Sequence, residues 1–388
     1  MLQYFVLQIA EKLRRYLYII LFGLLIVLLG FLSFSSLMNY YVNDLKSLNE
    51  WSADLGSRFE TDFASSFYQK LWFLNMNGGM RNVFGQREMN GVVKLDNGHL
   101  IMPGDFAGDA IIQTNAENII RFKNYLEEKD ILFAYAITLT SNSKYEPSEL
   151  PEGTADFGNE NWDKLKDLLK DGGVTVIDFR EELYKDGISQ YDMMYKTDHH
   201  WTTEMGFYAY QKFTDFLEAG LSCEVDPAVK TLDNYKITTY PDWHLGSAGQ
   251  RTGRFFAGVD DFDLIVPQFE TFLTDMDKKH QGSYEELLID TEALKHRDLN
   301  SRLTYDSVLS DSQGNFINHL SRNDKKILVI SDSFGKAVCP FLDISYGQVC
   351  SVDGPVGAEL IDSFQPDAVL VFYELDNSVH PYYYEYDI

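Results

Sequence analysis

Cysteine is scarce in this chain. Its 388 residues include only Cys223, Cys339 and Cys350. An odd count with no C-x-x-C spacing excludes a disulfide framework, a cysteine-built zinc site and dithiol redox chemistry as organising features. Cys339 and Cys350 could bridge in an oxidising compartment. Both lie in apolar surroundings, however, where buried free thiols are common, so free thiols are expected. Basic residues are also few, 33 Lys and Arg against 59 Asp and Glu, for a formal net charge of −26. Such a surface repels phosphate backbones and anionic head groups, which argues against nucleic acid as a partner. The acidity reads as ordinary solubility and names no substrate. Long apolar runs are nearly absent too. Only residues 16–38 form a run long enough to cross a bilayer, 23 positions without a charge. Later candidates fail: 368–373 is too short, and 207–217 is interrupted by Gln211, Lys212 and Asp215.

What is present organises around that single run. Lys12, Arg14 and Arg15 precede it and no basic residue follows closely. This predicts a cytoplasmic tail (1–15), one transmembrane helix (16–38) and everything downstream on the outer side. A cleaved signal peptide is the competing reading, with small residues at Ser33 and Ser35, but the run exceeds a typical signal core. Residues 39–89 place Trp51, Phe59, Phe63, Phe67 and Trp72 at loosely helical spacing, as in a membrane-proximal helical stalk. The remainder, 90–388, reads as one globular domain, and the whole chain's composition of 45% hydrophobic and 24% charged residues fits.

Within that domain, residues 90–101 predict a hairpin turning at Asp96-Asn97-Gly98. Thr114-Asn115-Ala116-Glu117 has the form of a capping box ahead of a helix carrying Ile119, Phe122 and Leu126. A strand at 131–137, a helix through Trp162, Leu165 and Leu169 closed by Gly172-Gly173, and a strand at 174–177 make a βαβ unit and hence a mostly parallel sheet. Residues 221–320 break the rhythm and read as a loop-rich insertion over the carboxyl edge of the sheet. Strands at 326–331, 348–352 and 368–373 and a helix at 357–364 then resume it. The C-terminal tyrosines 382–384 and 386 read as a packed or frayed tail, with stacking on sugar rings as the alternative.

Two stretches carry chemistry. Asp198-His199-His200-Trp201 puts a carboxylate and two imidazoles in three consecutive residues. In an extended segment Asp198 and His200 share one face and His199 points away. Asp198 then orients the His200 ring and holds its charged form, and Trp201 walls off water at the substrate site. The second stretch is the apolar run 326–330, breaking into Ser331-Asp332-Ser333-Phe334-Gly335. It presents Ser333 at a strand end and helix start, as a nucleophile is presented, with Asp332 pinning the turn. Arg251, in the glycine-punctuated polar segment 243–253, is a candidate ligand for an acyl carbonyl or a polysaccharide carboxylate. The alternative is a surface arginine holding its loop. Asp198, His199, His200 and a distant His244 could instead coordinate zinc or manganese, but adjacent histidines rarely converge on one ion.

The paired motifs resemble the DHHW proteins and, through them, SGNH-like O-acetyltransferases of the alginate acetylation type, from about residue 90 to the C-terminus. The relatives' Asp-x-His-Trp maps onto Asp198, His200 and Trp201, and their Gly-(Asp/Thr)-Ser-(Phe/Tyr) turn onto Ser333. Ser331 stands here where many relatives have glycine. The resemblance implies an SGNH-hydrolase-like α/β fold, a Ser333-His200-Asp198 triad in permuted order, and Gly354 and Asn377 completing an oxyanion hole. It also implies no cofactor, a polysaccharide hydroxyl as acceptor, and acetyl delivered by a membrane-bound O-acyltransferase. A carbohydrate acetylesterase with the same triad, or an inactive polysaccharide-binding module of an export complex, are the alternatives.

Overall fold

The computed structural model describes residues 2–44, 67–299, 303–374 and 380–388. They fall into two compact units, Met1–Asn77 and Gly78–Ile388. In the first, helix α1 (Leu2–Asp44) continues beyond the expected span at both ends. Arg14–Phe34 is the one stretch among the described residues apolar and long enough to cross a membrane. Its Ile19, Phe22, Val27 and Phe31 side chains are exposed rather than packed into a core. That suits a lipid-facing anchor and a signal sequence alike. Of the segment 39–89, residues 45–66 lie outside the described residues, and helix α2 spans Lys70–Val83.

The second unit begins at Gly78, within α2, whose end packs against residues of that unit. A Cβ on Gly78 would lie 2.5 Å from the Thr252 carbonyl, and Asn82 donates to the Phe255 carbonyl at 3.1 Å. Strands β1 (Glu88–Met89), β2 (Val92–Lys94) and β3 (Leu100–Ile101) form a small antiparallel sheet. The β2–β3 turn closes at Gly98, whose φ of 89° is the left-handed conformation a side chain disfavours. Helix α3 (Asp109–Glu127) starts before the expected capping box. Thr114 lies inside it and returns its hydroxyl to the Ala110 carbonyl at 2.9 Å. Thr-x-x-Glu therefore marks no helix start here, since a threonine inside a helix can satisfy its hydroxyl on the preceding turn.

Strand β4 (Leu132–Ile137), helix α4 (Gly158–Asp171), strand β5 (Val176–Asp178), helix α5 (Phe179–Asp186) and helix α6 (Thr203–Leu221) follow in α/β order. The segment 221–320, expected as a loop-rich insertion, carries several short elements between its loops. It forms a two-stranded ribbon, β6 (Tyr235–His244) with β7 (Asp260–Pro267), with the short helix α7 (Ser247–Thr252) between them. It also supplies β8 (Leu273–Asp275), β9 (His280–Gly282) and β10 (Asn315–Asn318) to the main sheet. These strands have three or four residues and much polar sequence, so alternation could not announce them. Strands β11 (Lys326–Ser331) and β12 (Gln348–Val352), helix α8 (Ala358–Phe364) and strand β13 (Ala368–Tyr373) complete the domain.

The main sheet runs β5-β4-β13-β11-β12-β10-β8-β9. Its first five strands pair parallel, and the last three extend it antiparallel. This is the expected α/β architecture, a mostly parallel sheet flanked by helices. Ile327, Val329, Ala368, Leu370 and Phe372 join Phe207, Tyr210, Phe213 and Leu217 of α6 in one core. The alternate residues Leu328, Ile330, Val369, Val371 and Tyr373 join Ile119, Phe122, Trp162 and Leu165 in a second. Both faces being covered, these strands read as continuous apolar runs. The C-terminal tail packs on the second face. Tyr386 stacks on Phe122 at 4.1 Å, and the Tyr384 and Tyr135 hydroxyls lie 2.9 Å apart. All three cysteines are free.

Candidate active site

The two stretches meet at the carboxyl edge of the parallel strands, where an α/β sheet places its ligands. After β11 the chain enters a five-residue 3-10 turn, Ser333–Ala337. Asp332 pins this turn, accepting from Phe334 N–H at 3.0 Å and from Glu374 N–H, past the end of β13, at 2.5 Å. Ser331 fills the space beneath, so that a Cβ on Gly335 would lie 2.1 Å from the Ser331 hydroxyl oxygen. Ser333 is left half-buried at the edge.

Asp198 and its neighbours are not in a strand. Met194 bridges Trp201 antiparallel, and Tyr195 N–H donates to the His200 carbonyl at 3.3 Å, so 195–200 is a tight loop. The expected alternation of faces is therefore lost, and His199 sits beside Asp198 rather than away from it. Asp260 holds the loop by accepting from Thr197 N–H (2.8 Å) and the Thr197 hydroxyl (2.7 Å). Thr202 caps α6 by accepting from Met205 N–H at 3.1 Å.

The geometry is a continuous hydrogen-bonded chain. The Ser333 hydroxyl lies 2.7 Å from His200 Nε2, and His200 Nδ1 lies 3.0 Å from Asp198 Oδ2. Tyr305 stacks on the His200 ring at 4.4 Å and donates its hydroxyl to the Ser333 carbonyl at 3.1 Å. Asp198 is wholly buried. Burial works to raise its pKa, but the His200 charge and the hydrogen bonds from His199, His200 and His244 outweigh that and hold it well below the usual carboxylate range. Burial pushes His200 down, against the pull of Asp198 and with help from His199. For His199 burial is overcome by Asp198 and Glu374, and its pKa is pushed up to about 9. The two imidazoles, 3.9 Å apart centroid to centroid, are thus shifted in opposite directions, the one facing Ser333 downwards and its neighbour upwards.

A small cleft adjoins these residues, lined in part by Thr140, Asn142, His199, Phe334 and Glu374. The other sequence candidates are placed differently. Trp201 is fully buried, donating Nε1–H to the Phe334 carbonyl at 3.1 Å and packing on Phe334. Its indole packs beneath the serine turn, between the two motifs. Arg251 is exposed on α7 and is not a lining residue of the cleft; its carbonyl accepts from Asn90 at 2.7 Å. Gly354 adopts φ 86° after β12 and its N–H bonds the Asp353 carboxylate. Asn377 lies outside the described residues.

Ser247, Glu374 and Tyr305 carry no sequence signal that assigns them to this site, and His244 carries one only as a metal ligand. The sole hint was the glycine spacing of 246, 249 and 253. That spacing exists because the 244–249 segment is pressed against the loop: a Cβ on Gly246 would lie 2.2 Å from the Asp198 Cβ. Asp198, His199 and His200 each offer a ligand atom within 4.8 Å of the others. These atoms already bond one another, Ser247 and Ser333, so a metal ion would be held only by breaking that chain.

An α/β domain with an acid, an imidazole and a serine aligned at its sheet edge is the class of protein that emerges. No family model matches the chain, and no curated protein sequence matches it. Solved structures share its fold. Bacillus cereus PatB1 with a sulfonyl adduct superposes with TM-score 0.60 at 17% identity, over 78% of this chain and 99% of that one. A DHHW family protein from Eubacterium siraeum DSM 15702 superposes with TM-score 0.53 at 19% identity, over 75% and 93%. The O-acetyltransferase domain of Pseudomonas putida AlgJ aligns more loosely, with TM-score 0.42 at 13% identity, over 74% and 92%.

Proposed function

We propose that the chain is a membrane-anchored O-acetyltransferase that moves acetyl groups onto hydroxyls of a cell-surface or exported polysaccharide. The observation that carries the reading is the unbroken Ser333–His200–Asp198 chain at the sheet edge. Ser333 Oγ attacks the acetyl carbonyl while its proton passes to His200 Nε2. Asp198 holds the imidazolium so formed. The tetrahedral intermediate expels the donor's leaving group, which takes the proton from His200, and acetyl-Ser333 remains. An acceptor hydroxyl then gives its proton to His200 and attacks that ester, and the returning proton frees Ser333. With water as acceptor the same residues hydrolyse acetyl esters. The donor acetyl comes from a membrane-bound O-acyltransferase, and no cofactor enters these steps.

Intact-mass analysis tests the reading. After incubation with an activated acetyl ester, one acetyl group is expected on the wild-type chain, localised to Ser333 and discharged faster when a saccharide acceptor is added. A chain that takes up no acetyl, yet binds polysaccharide, is a binding module instead.

The acceptor requires the domain to face outwards. Lys12, Arg14 and Arg15 hold the N-terminus in the cytoplasm in this reading, with Arg14–Phe34 crossing once. Protease added to intact, wall-stripped cells is expected to digest the domain and leave a small membrane-bound fragment. Survival of the domain until lysis would rule out extracellular glycans as acceptors.

A further inference from the structure

Asp198 is gripped from a second direction by residues that take no part in the proposed chemistry. Its Oδ1 accepts from His199 N–H (2.9 Å), Ser247 N–H (3.0 Å) and the Ser247 hydroxyl (2.8 Å). Its Oδ2 accepts from two imidazoles, His200 Nδ1 at 3.0 Å and His244 Nε2 at 2.9 Å. His244 ends β6, 46 residues along the chain from Asp198, and is wholly buried against Tyr195, ring to ring at 4.4 Å. A carboxylate oxygen only accepts, so His244 Nε2 carries the proton. Its Nδ1 is buried with no partner among the described residues. The hydrogen bond from Nε2 to Asp198 is thus the ring's polar contact with the site.

We propose that His244 is a positioning residue of this site: by sharing Asp198 Oδ2 with His200 it fixes the carboxylate and divides its charge, so that His200 stays a neutral acceptor for the Ser333 proton. The inference rests on the acyl-transfer reading above. Without the second donor, the whole charge at Oδ2 falls on His200. The imidazolium is then favoured before substrate arrives, and the carboxylate is free to turn. Among the described residues, the other ionisable groups around the two rings include His199, Asp260, Asp263, Asp306, Tyr195 and Tyr305, with Asp332 and Glu374 beyond His199. None of them is altered by a substitution at 244. His244 does not hydrogen-bond the serine; its hydrogen bond enters the site through Asp198, while its packing on Tyr195 is kept by a residue of similar bulk.

The experiment uses the full-length chain in detergent with 4-nitrophenyl acetate as the probe, reading kcat/KM against pH. His244→Phe, which keeps bulk and removes the donor, is expected to lower kcat/KM by about tenfold or more, the scale of one hydrogen bond to a charged group. It is also expected to move the acid limb to higher pH. His244→Gln, whose amide nitrogen reaches about as far as Nε2, is expected to recover most of the rate and the wild-type limb. His244→Met takes the place of the Phe variant should that not fold. An unchanged rate and limb in the Phe variant overturns the proposal. So does a loss that is equal at every pH, which marks mere packing, and so does a Gln variant as impaired as Phe. If the wild type shows no Ser333-dependent turnover, the acyl-transfer reading fails and takes this one with it. If it does and His244 variants match it, only the positioning role falls.

Discussion

Ser333→Ala is expected to abolish hydrolysis of a small acetyl ester, by about six orders of magnitude in kcat if it behaves as the serine of other triads does. The hydroxyl contributes its 2.7 Å bond to His200 and, in the proposed mechanism, is the group that carries the acetyl. The fold is expected to survive. Ser333 is only half-buried, and the contacts that hold its turn belong to others: Asp332 to Phe334 and Glu374, and Gln313 to the Asp332 carbonyl at 3.0 Å. Tyr305 bonds the Ser333 carbonyl, which alanine keeps. The checks are kcat/KM on 4-nitrophenyl acetate and a thermal melt. Wild-type turnover in the variant would remove Ser333 from the mechanism.

Asp198→Asn is expected to cost about four orders of magnitude in kcat, as the equivalent change does in other triads. An asparagine oxygen can take the Oδ1 position and keep the Ser247 and His199 donors. Its amide nitrogen then stands where Oδ2 met His200 Nδ1 and His244 Nε2, both of which donate. Three donors with no acceptor cannot coexist, so His200 is driven to the other tautomer, its proton facing Ser333. The sign of the pH effect is opposite to that for His244→Phe. Removing the negative charge destabilises the His200 imidazolium, so any residual activity should show its acid limb at lower pH. Stability should also fall, by about 1–3 kcal/mol for each buried group left unpaired. Kinetics across pH beside a denaturant titration separate the two effects. A variant with full activity would leave Asp198 without a catalytic part.

Much of this protein was determined locally, and what was local was legible. The apolar span near the N-terminus, the β4–α4–β5 unit and the runs at β11 and β13 follow from hydropathy and period, because each such element must bury or expose its own faces. Ser333 at a strand end and the Asp198-His199-His200 cluster were visible for the same reason: residue types within a few positions of one another. Tertiary structure decided the rest. Whether His199 points towards Asp198 depended on a loop closed by the Met194–Trp201 bridge and held by Asp260, so an alternation rule for strands misplaced it. Trp201 is buried because Phe334 arrives above it from 133 residues away. The short strands β8, β9 and β10 are strands only by pairing with the edge of a sheet already formed. The cradle of His244, Gly246 and Ser247 around Asp198 exists because the ribbon between α6 and β8 returns to the loop that precedes α6. No periodicity records such a meeting, since the hydrogen bonds that define it join residues whose separation along the chain carries no geometric meaning until the sheet has folded.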